Sequence, residues 1–151
     1  MLKIIVLLMF IVPTIYNYII HRNNIINTKK KPIFGFILAI FALVASGLCY
    51  RLDNTVLGYA IAISSVLFVY TVIFFPGIRK DGFNIFLGAS LILKFVSFDK
   101  VKNVGIKSSK NNDLELTIRA YGNIYSQTYD LKNKDFIIKN IESKTNLKTN
   151  I

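Results

Sequence analysis

IFGFILAIFALVASGLCYRLDNTVLGYAIAISSVLFVYTVIFF, residues 33–75, holds two charge-free apolar runs separated only by Arg51, Leu52, Asp53, Asn54 and Thr55. At about 1.5 Å of rise per residue, each run reaches roughly the thickness of a bilayer's hydrocarbon core. Residues 33–50 and 56–75 are therefore read as two membrane spans, and the five-residue connection makes them an antiparallel helical hairpin.

Upstream, residues 2–20 (LKIIVLLMFIVPTIYNYII) carry one charge, at the start, and form a third span. A cleavable signal peptide would need small residues near Tyr16–Ile19, where the chain has Tyr, Asn, Tyr and Ile, so this helix is expected to stay attached. Pro13 is expected to kink it. The first domain is thus residues 1–76, three transmembrane helices.

Lysine and arginine positions orient the spans. Arg22, Lys29, Lys30 and Lys31 lie between spans one and two, and Arg79 and Lys80 follow span three, whereas the opposite side holds only Lys3 and Arg51. By the positive-inside rule the N-terminus lies outside and residues 77–151 are cytoplasmic. The six basic residues Arg22, Lys29, Lys30, Lys31, Arg79 and Lys80 are the candidate membrane-surface contacts. The Lys29–Lys31 run has two compatible readings, as a topology signal and as an electrostatic contact worth about 1 kcal/mol per charge with anionic lipid.

Composition agrees with this division. Apolar residues make up 53% of the 151, with a mean hydropathy of +0.48. Of the formal net charge of +11, residues 1–76 carry +5, six basic side chains against Asp53, which leaves +6 for the remainder. A basic balance suits nucleic acid or an anionic lipid surface, and attachment to a bilayer favours lipid. The tail lysines form no stripe, so nucleic acid is not the expected partner. Cys49 is the only cysteine, which excludes an intramolecular disulfide and a cysteine metal cluster. It reads as a small packing residue, and His21, at the end of span one, as an interfacial polar residue.

No cofactor or metal site and no catalytic residue are expected. The spans lack the internal ionisable groups of pumps and transporters. Acids in the tail stand singly beside lysines, as in Lys80-Asp81, Asp99-Lys100 and Lys134-Asp135, which is the pattern of a solvated surface rather than of convergent catalytic groups. Small residues at helical spacing, Gly35 with Ala39, Ala42 with Ser46 and Gly58 with Ala62, are expected to serve close packing among the three helices, the alternative being an interface between copies of the chain.

After Pro76-Gly77, short apolar runs alternate with Gly, Asn and Asp, the texture of strands and turns. Strands are expected near 83–87, 91–97, 101–107, 113–121 and 124–131. In the fourth, Leu114, Leu116, Ile118 and Ala120 alternate with polar neighbours, so one face is buried. Gly122-Asn123 is expected to turn the chain into the fifth. Residues 133–146 read as an amphipathic helix capped by Asn133, with Phe136, Ile137 and Ile141 on its buried side. Tyr125 and Tyr129 share strand parity with Leu131 and are expected to pack, leaving Tyr121 as a surface aromatic. The fold class is a three-span helical membrane region followed by a small α+β domain at 77–151, a meander of about five strands closed by a helix.

The run GIRKDGFNIFLGASLILKFVSFDKVKNVGIKS, residues 77–108, followed by the LELTIRAYG hairpin and a C-terminal helix, resembles the bacterial pleckstrin-homology-like domains that follow a few spans in small membrane proteins. Gly82-Phe83, Phe98-Asp99-Lys100-Val101 and the closing helix carry the likeness. The resemblance implies a bacterial cell membrane and a non-catalytic module whose tail binds protein or the inner leaflet. Some relatives act in self-protection against bacteriocins, so immunity is one form of that role. A small accessory or regulatory subunit of a larger membrane complex is the alternative. The fold has seven strands where five are counted here, so an open edge is expected to need covering by membrane, another copy or a protein partner. Headgroup-binding members place basic residues in the first hairpin loop. This chain has Gly88-Ala89-Ser90 there, so specific headgroup recognition is not expected.

Overall fold

The computed structural model describes residues 1–87, 90–109 and 112–142. Three helices dominate the first half: α1 (Leu2–His21), α2 (Pro32–Leu52) and α3 (Val56–Phe74). All three are long and apolar enough to cross a membrane. Pro32 opens α2 at the position where a missing N–H costs nothing, and the Thr55 hydroxyl caps α3 by accepting from the Gly58 amide at 3.1 Å. Helix α1 runs unbroken through Pro13. Helix α3 packs against both α1 and α2, with Phe10 and Phe68 rings 5.9 Å apart in the α1–α3 seam.

The small residues divide between two fates. Gly58 is buried, and a Cβ there would collide with the Asp53 carbonyl and carboxylate, so it does serve close packing. Gly35 and Ala39 lie exposed on α2, and nothing stands within 4 Å of the place a Gly35 Cβ would take. The expectation that this pair packs among the three helices is corrected.

Seven strands follow two antiparallel arrangements. The first sheet has the order β1 (Asn24–Asn27), β2 (Gly77–Arg79), β3 (Gly82–Phe86) and β4 (Leu93–Ser97). The second has β5 (Val101–Ser109), β6 (Asp113–Ala120) and β7 (Asn123–Asp130), and is followed by a 3₁₀ turn at Leu131–Asn133 and helix α4 (Lys134–Glu142). This arrangement is compatible with a pleckstrin-homology-like fold.

All five expected strands are present, but the count of five falls short. Strand β2 was missed, and β1 comes from the connection between the first two helices. It lies along β2, with Asn27 opposite Gly77 and Asn24 opposite Arg79. Gly77 is required there, because a Cβ would strike Ile26 O and the Asn24 side chain. The edge of β2 is thus paired with this chain's own inter-helix loop, and β1 becomes the outer strand of that sheet.

Both sheets and α4 share one core. Phe83, Val96, Val104, Leu114, Leu116, Ile118, Tyr129, Ile137 and Ile141 are fully buried in it, and Phe83 meets Phe98 edge-on at 5.2 Å. Each such aliphatic side chain contributes about 1.5–3 kcal/mol on leaving water. The alternation along β6 is as expected, with Leu114, Leu116, Ile118 and Ala120 all buried. Two local expectations are corrected. The β6–β7 turn is Tyr121-Gly122, both at positive φ (+52° and +80°), which suits the right-handed twist of a hairpin, rather than Gly122-Asn123. Phe136 is exposed, because Ile137 and Ile141, four residues apart, occupy the inward face of α4. Asn133 closes the 3₁₀ turn and stands immediately before α4, at the position expected of its cap, and the part of the expected helix beyond Glu142 lies outside the described residues.

Candidate membrane-surface site

Two residues, Phe75 and Pro76, separate α3 from β2, and the junction is fastened by side chains as well. Asn17, fully buried near the end of α1, donates from Nδ2 to Thr71 Oγ1 (3.0 Å) and Leu91 O (3.3 Å), and its Oδ1 accepts from the Leu93 amide (2.8 Å). His21 stacks on Phe75 with ring centroids 4.1 Å apart, and its Nδ1 lies 3.2 Å from Phe75 O. Asn24 Nδ2 donates to Phe75 O at 3.0 Å, and Asn84 Nδ2 to Ile20 O at 3.3 Å. His21 is thus the interfacial polar group it was read as. Cys49 is buried, and its thiol reaches Asp53 O at 3.4 Å.

Beside this junction lies a cleft of about 440 Å³. One wall is the lysine run, Thr28–Lys31, where it enters α2, with Phe34 one turn inside. The end of α3, through Ile73 and Phe74, forms the floor, and Ile85–Phe86 of β3 and Ile124–Thr128 of β7 form the remaining walls. The cleft thus sits at the level where the helices end, lined by apolar Phe34, Ile73, Phe74, Ile85 and Phe86, by polar Thr28, Ser126, Gln127 and Thr128, and by the lysines.

Those three lysines have different duties. Lys29 bonds to the Asp113 carboxylate and lies 3.7 Å from Asp130, while its backbone N–H donates to Thr128 O at 2.7 Å. The hydrogen bond with Asp113 holds the Lys29 ammonium above its ordinary pKa. Lys29 therefore clasps the inter-helix loop to the second sheet. Lys30 and Lys31 are exposed and have no acidic partner among the described residues; the Lys30 ammonium lies 5.6 Å from the centre of the Phe74 ring.

Comparison with family models, with curated proteins and with solved structures finds no match.

The remaining candidates stand apart from the cleft. Arg22 is exposed just beyond α1. Arg79 pairs with Asp81 at 2.9 Å and lies 4.8 Å from the Phe95 ring centre, at the end of the sheet where Gly82 faces Ser97. Phe86, which lines the cleft, is at the other end of β3, roughly 13 Å away at a strand's rise per residue. Lys80 occupies the β2–β3 turn beside Arg79 and is likewise remote. The structure groups only Lys29, Lys30 and Lys31 on one feature.

Sequence reasoning missed Asn17, Asn24, Asn84 and Gln127. Gln127 is buried, donating to Asn84 O at 3.0 Å and accepting from the Tyr129 hydroxyl at 2.6 Å, so it stitches β7 to β3. A usable signal existed for Asn17: it is the only carboxamide in the three long helices. A carboxamide in an otherwise apolar span is costly unless it has partners.

Proposed function

We propose that this protein is a non-catalytic, membrane-anchored module with a pleckstrin-homology-like domain in the cytoplasm, whose cleft takes the anionic headgroup of an inner-leaflet phospholipid. One observation carries the reading: Lys30 and Lys31, free of acidic partners among the described residues, line a cleft of mixed polar and apolar walls that includes Phe34 and Phe74, at the level where the helices end. An amphiphile meets both halves of such a site, its phosphate at the lysines and the start of its chains against Phe34 and Phe74. The inward orientation rests on the Lys and Arg bias between the two sides.

The test uses the full chain purified and placed in nanodiscs of phosphatidylcholine alone or with phosphatidylglycerol. Phosphatidylglycerol should raise the thermal midpoint of the wild type and have little effect on a K30Q/K31Q variant, since a ligand that binds only the folded state stabilises it by mass action. Lys29 is left intact because its role is structural. An equal response to the two lipids in the wild type refutes the headgroup site.

A further inference from the structure

The residues that lead into β4 lie alongside the helices. Ser90, Leu91 and Ile92 border a groove of about 590 Å³ whose other walls are Val6, Met9, Phe10 and Pro13 of α1 and Phe68 of α3. Pro13 is eight residues from the end of α1, and Phe68 six from the end of α3. At the rise of an α-helix these are about 12 Å and 9 Å inside the helix ends, against a hydrocarbon half-thickness of roughly 15 Å.

Several of the segment's polar groups are paired within the protein, which lowers the cost of placing them away from water. The Ser90 amide donates to Leu87 O at 3.1 Å, and the Ile92 amide to Ser90 Oγ at 3.3 Å. Asn17 of α1 takes care of the next two groups, accepting from the Leu93 amide and donating to Leu91 O. Meanwhile Leu91 and Ile92 are 55% and 41% exposed, continuous with the exposed Met9, Val12 and Ile15 of α1. Residues 90–93 carry no charge. A charge-free segment with apolar side chains turned outward, and with the Leu91 carbonyl and the Leu93 amide both bonded by a buried side chain of α1, suits hydrocarbon better than water.

From this geometry we infer that the segment leading into β4 is immersed in the membrane: Ser90–Ile92 lie inside the hydrocarbon layer of the leaflet next to the sheet domain, where Leu91 and Ile92 contact lipid acyl chains. Asn17 is the positioning residue that makes this conformation tolerable. The inference stands on the helices crossing the bilayer and is independent of whether the cleft binds a headgroup.

The chain has no tryptophan, so a single one reports without background. Full-length L91W is reconstituted into vesicles whose lipids are brominated midway along the acyl chains, with Y121W, on the exposed β6–β7 turn, as the aqueous reference. Tryptophan at 91 should be quenched several-fold more by bromolipid than tryptophan at 121, and several-fold less by acrylamide. Equal behaviour at the two positions overturns the inference. Adding N17L to L91W should shift quenching from bromolipid towards acrylamide. If N17L reconstitutes and leaves the L91W quenching unchanged, the role given to Asn17 is refuted, and the L91W comparison alone still decides the placement.

Discussion

Replacing Tyr129 by phenylalanine removes one hydroxyl from the seam between the two sheets. In the wild type that hydroxyl donates to Gln127 Oε1 at 2.6 Å, and Gln127 Nε2 in turn donates to Asn84 O at 3.0 Å. Tyr129 is fully buried and Gln127 nearly so, so no water replaces the lost partner. Leaving Gln127 Oε1 unsatisfied should cost about 1–3 kcal/mol. With a urea m-value of about 2 kcal/mol/M, the unfolding midpoint of the sheet domain should fall by roughly 1 M. Pulse proteolysis of the detergent-solubilised chain in urea measures it. In a Q127M background the hydroxyl has no acceptor, so Y129F should there be neutral or stabilising. The inversion of sign between backgrounds separates a hydrogen bond from simple loss of packing.

The same residue gives a pH signature. Burial pushes the Tyr129 hydroxyl well above the ordinary tyrosine value of 10.0. Its folded pKa is raised, so the contribution is fully present below the unfolded value. It is lost as pH rises from there towards the folded value, because only the unfolded chain then releases the proton. Wild-type stability should fall above pH 10 by up to about 1.4 kcal/mol per pH unit from this one group. Y129F should lack that component. A Y129F variant as stable as wild type at pH 7, with the same alkaline slope, would refute both the bond and the burial.

At the far end of the helices, Lys3 bonds to Asp53 at 2.8 Å, and together with the Thr55 hydroxyl this holds the Asp53 carboxyl below its ordinary value of 3.8. That contribution is present above pH 3.8 and lost as pH falls through the lower folded value, so D53N should flatten the acid limb of the melting-temperature profile while changing little at pH 7. At the clasp, K29M should speed hydrogen exchange at the backbone amide of residue 29, which donates to Thr128 O, and leave β6 amides unchanged. Because the Lys29 pKa is raised, wild-type protection there should persist below pH 10.5 and fall as pH climbs past it.

Much of this architecture is written locally. Charge-free length marks the spans, and period-two alternation marks β6, because each is a property of contiguous residues. Strand β1 is different: Asn-Ile-Ile-Asn is four residues in a polar loop, and it becomes a strand only by pairing with Gly77–Arg79, some fifty positions away. Lys29 and Asp113, 84 positions apart, meet for the same reason. Charge counting could assign the six basic residues to one side of a membrane, but a side is not a site. Only the fold reveals that Lys29 is taken by carboxylates, that Arg79 is engaged by Asp81 and Phe95, and that Lys30 and Lys31 have no acidic partner among the described residues.

The cleft depends on the non-local contacts that the sequence conceals. Its walls come from the inter-helix loop, α3, β3 and β7, and each wall is held in place by a different tie: β1 on β2, Lys29 on Asp113, Asn17 on Leu93 and Gln127 on Asn84. A sheet domain hung on a flexible linker would have to find the bilayer surface and give up orientational freedom on each encounter. With two residues between α3 and β2 and a strand borrowed from the helical half, that freedom is already lost on folding. Lys30 and Lys31 are then held where the helices end, so even a weak headgroup contact of about 1 kcal/mol per charge acts without an orientational penalty. That is why, under the proposed function, two lysines at this junction without an acidic partner among the described residues weigh more than the equal number of positive charges on Arg79 and Lys80, which lie a strand's length away.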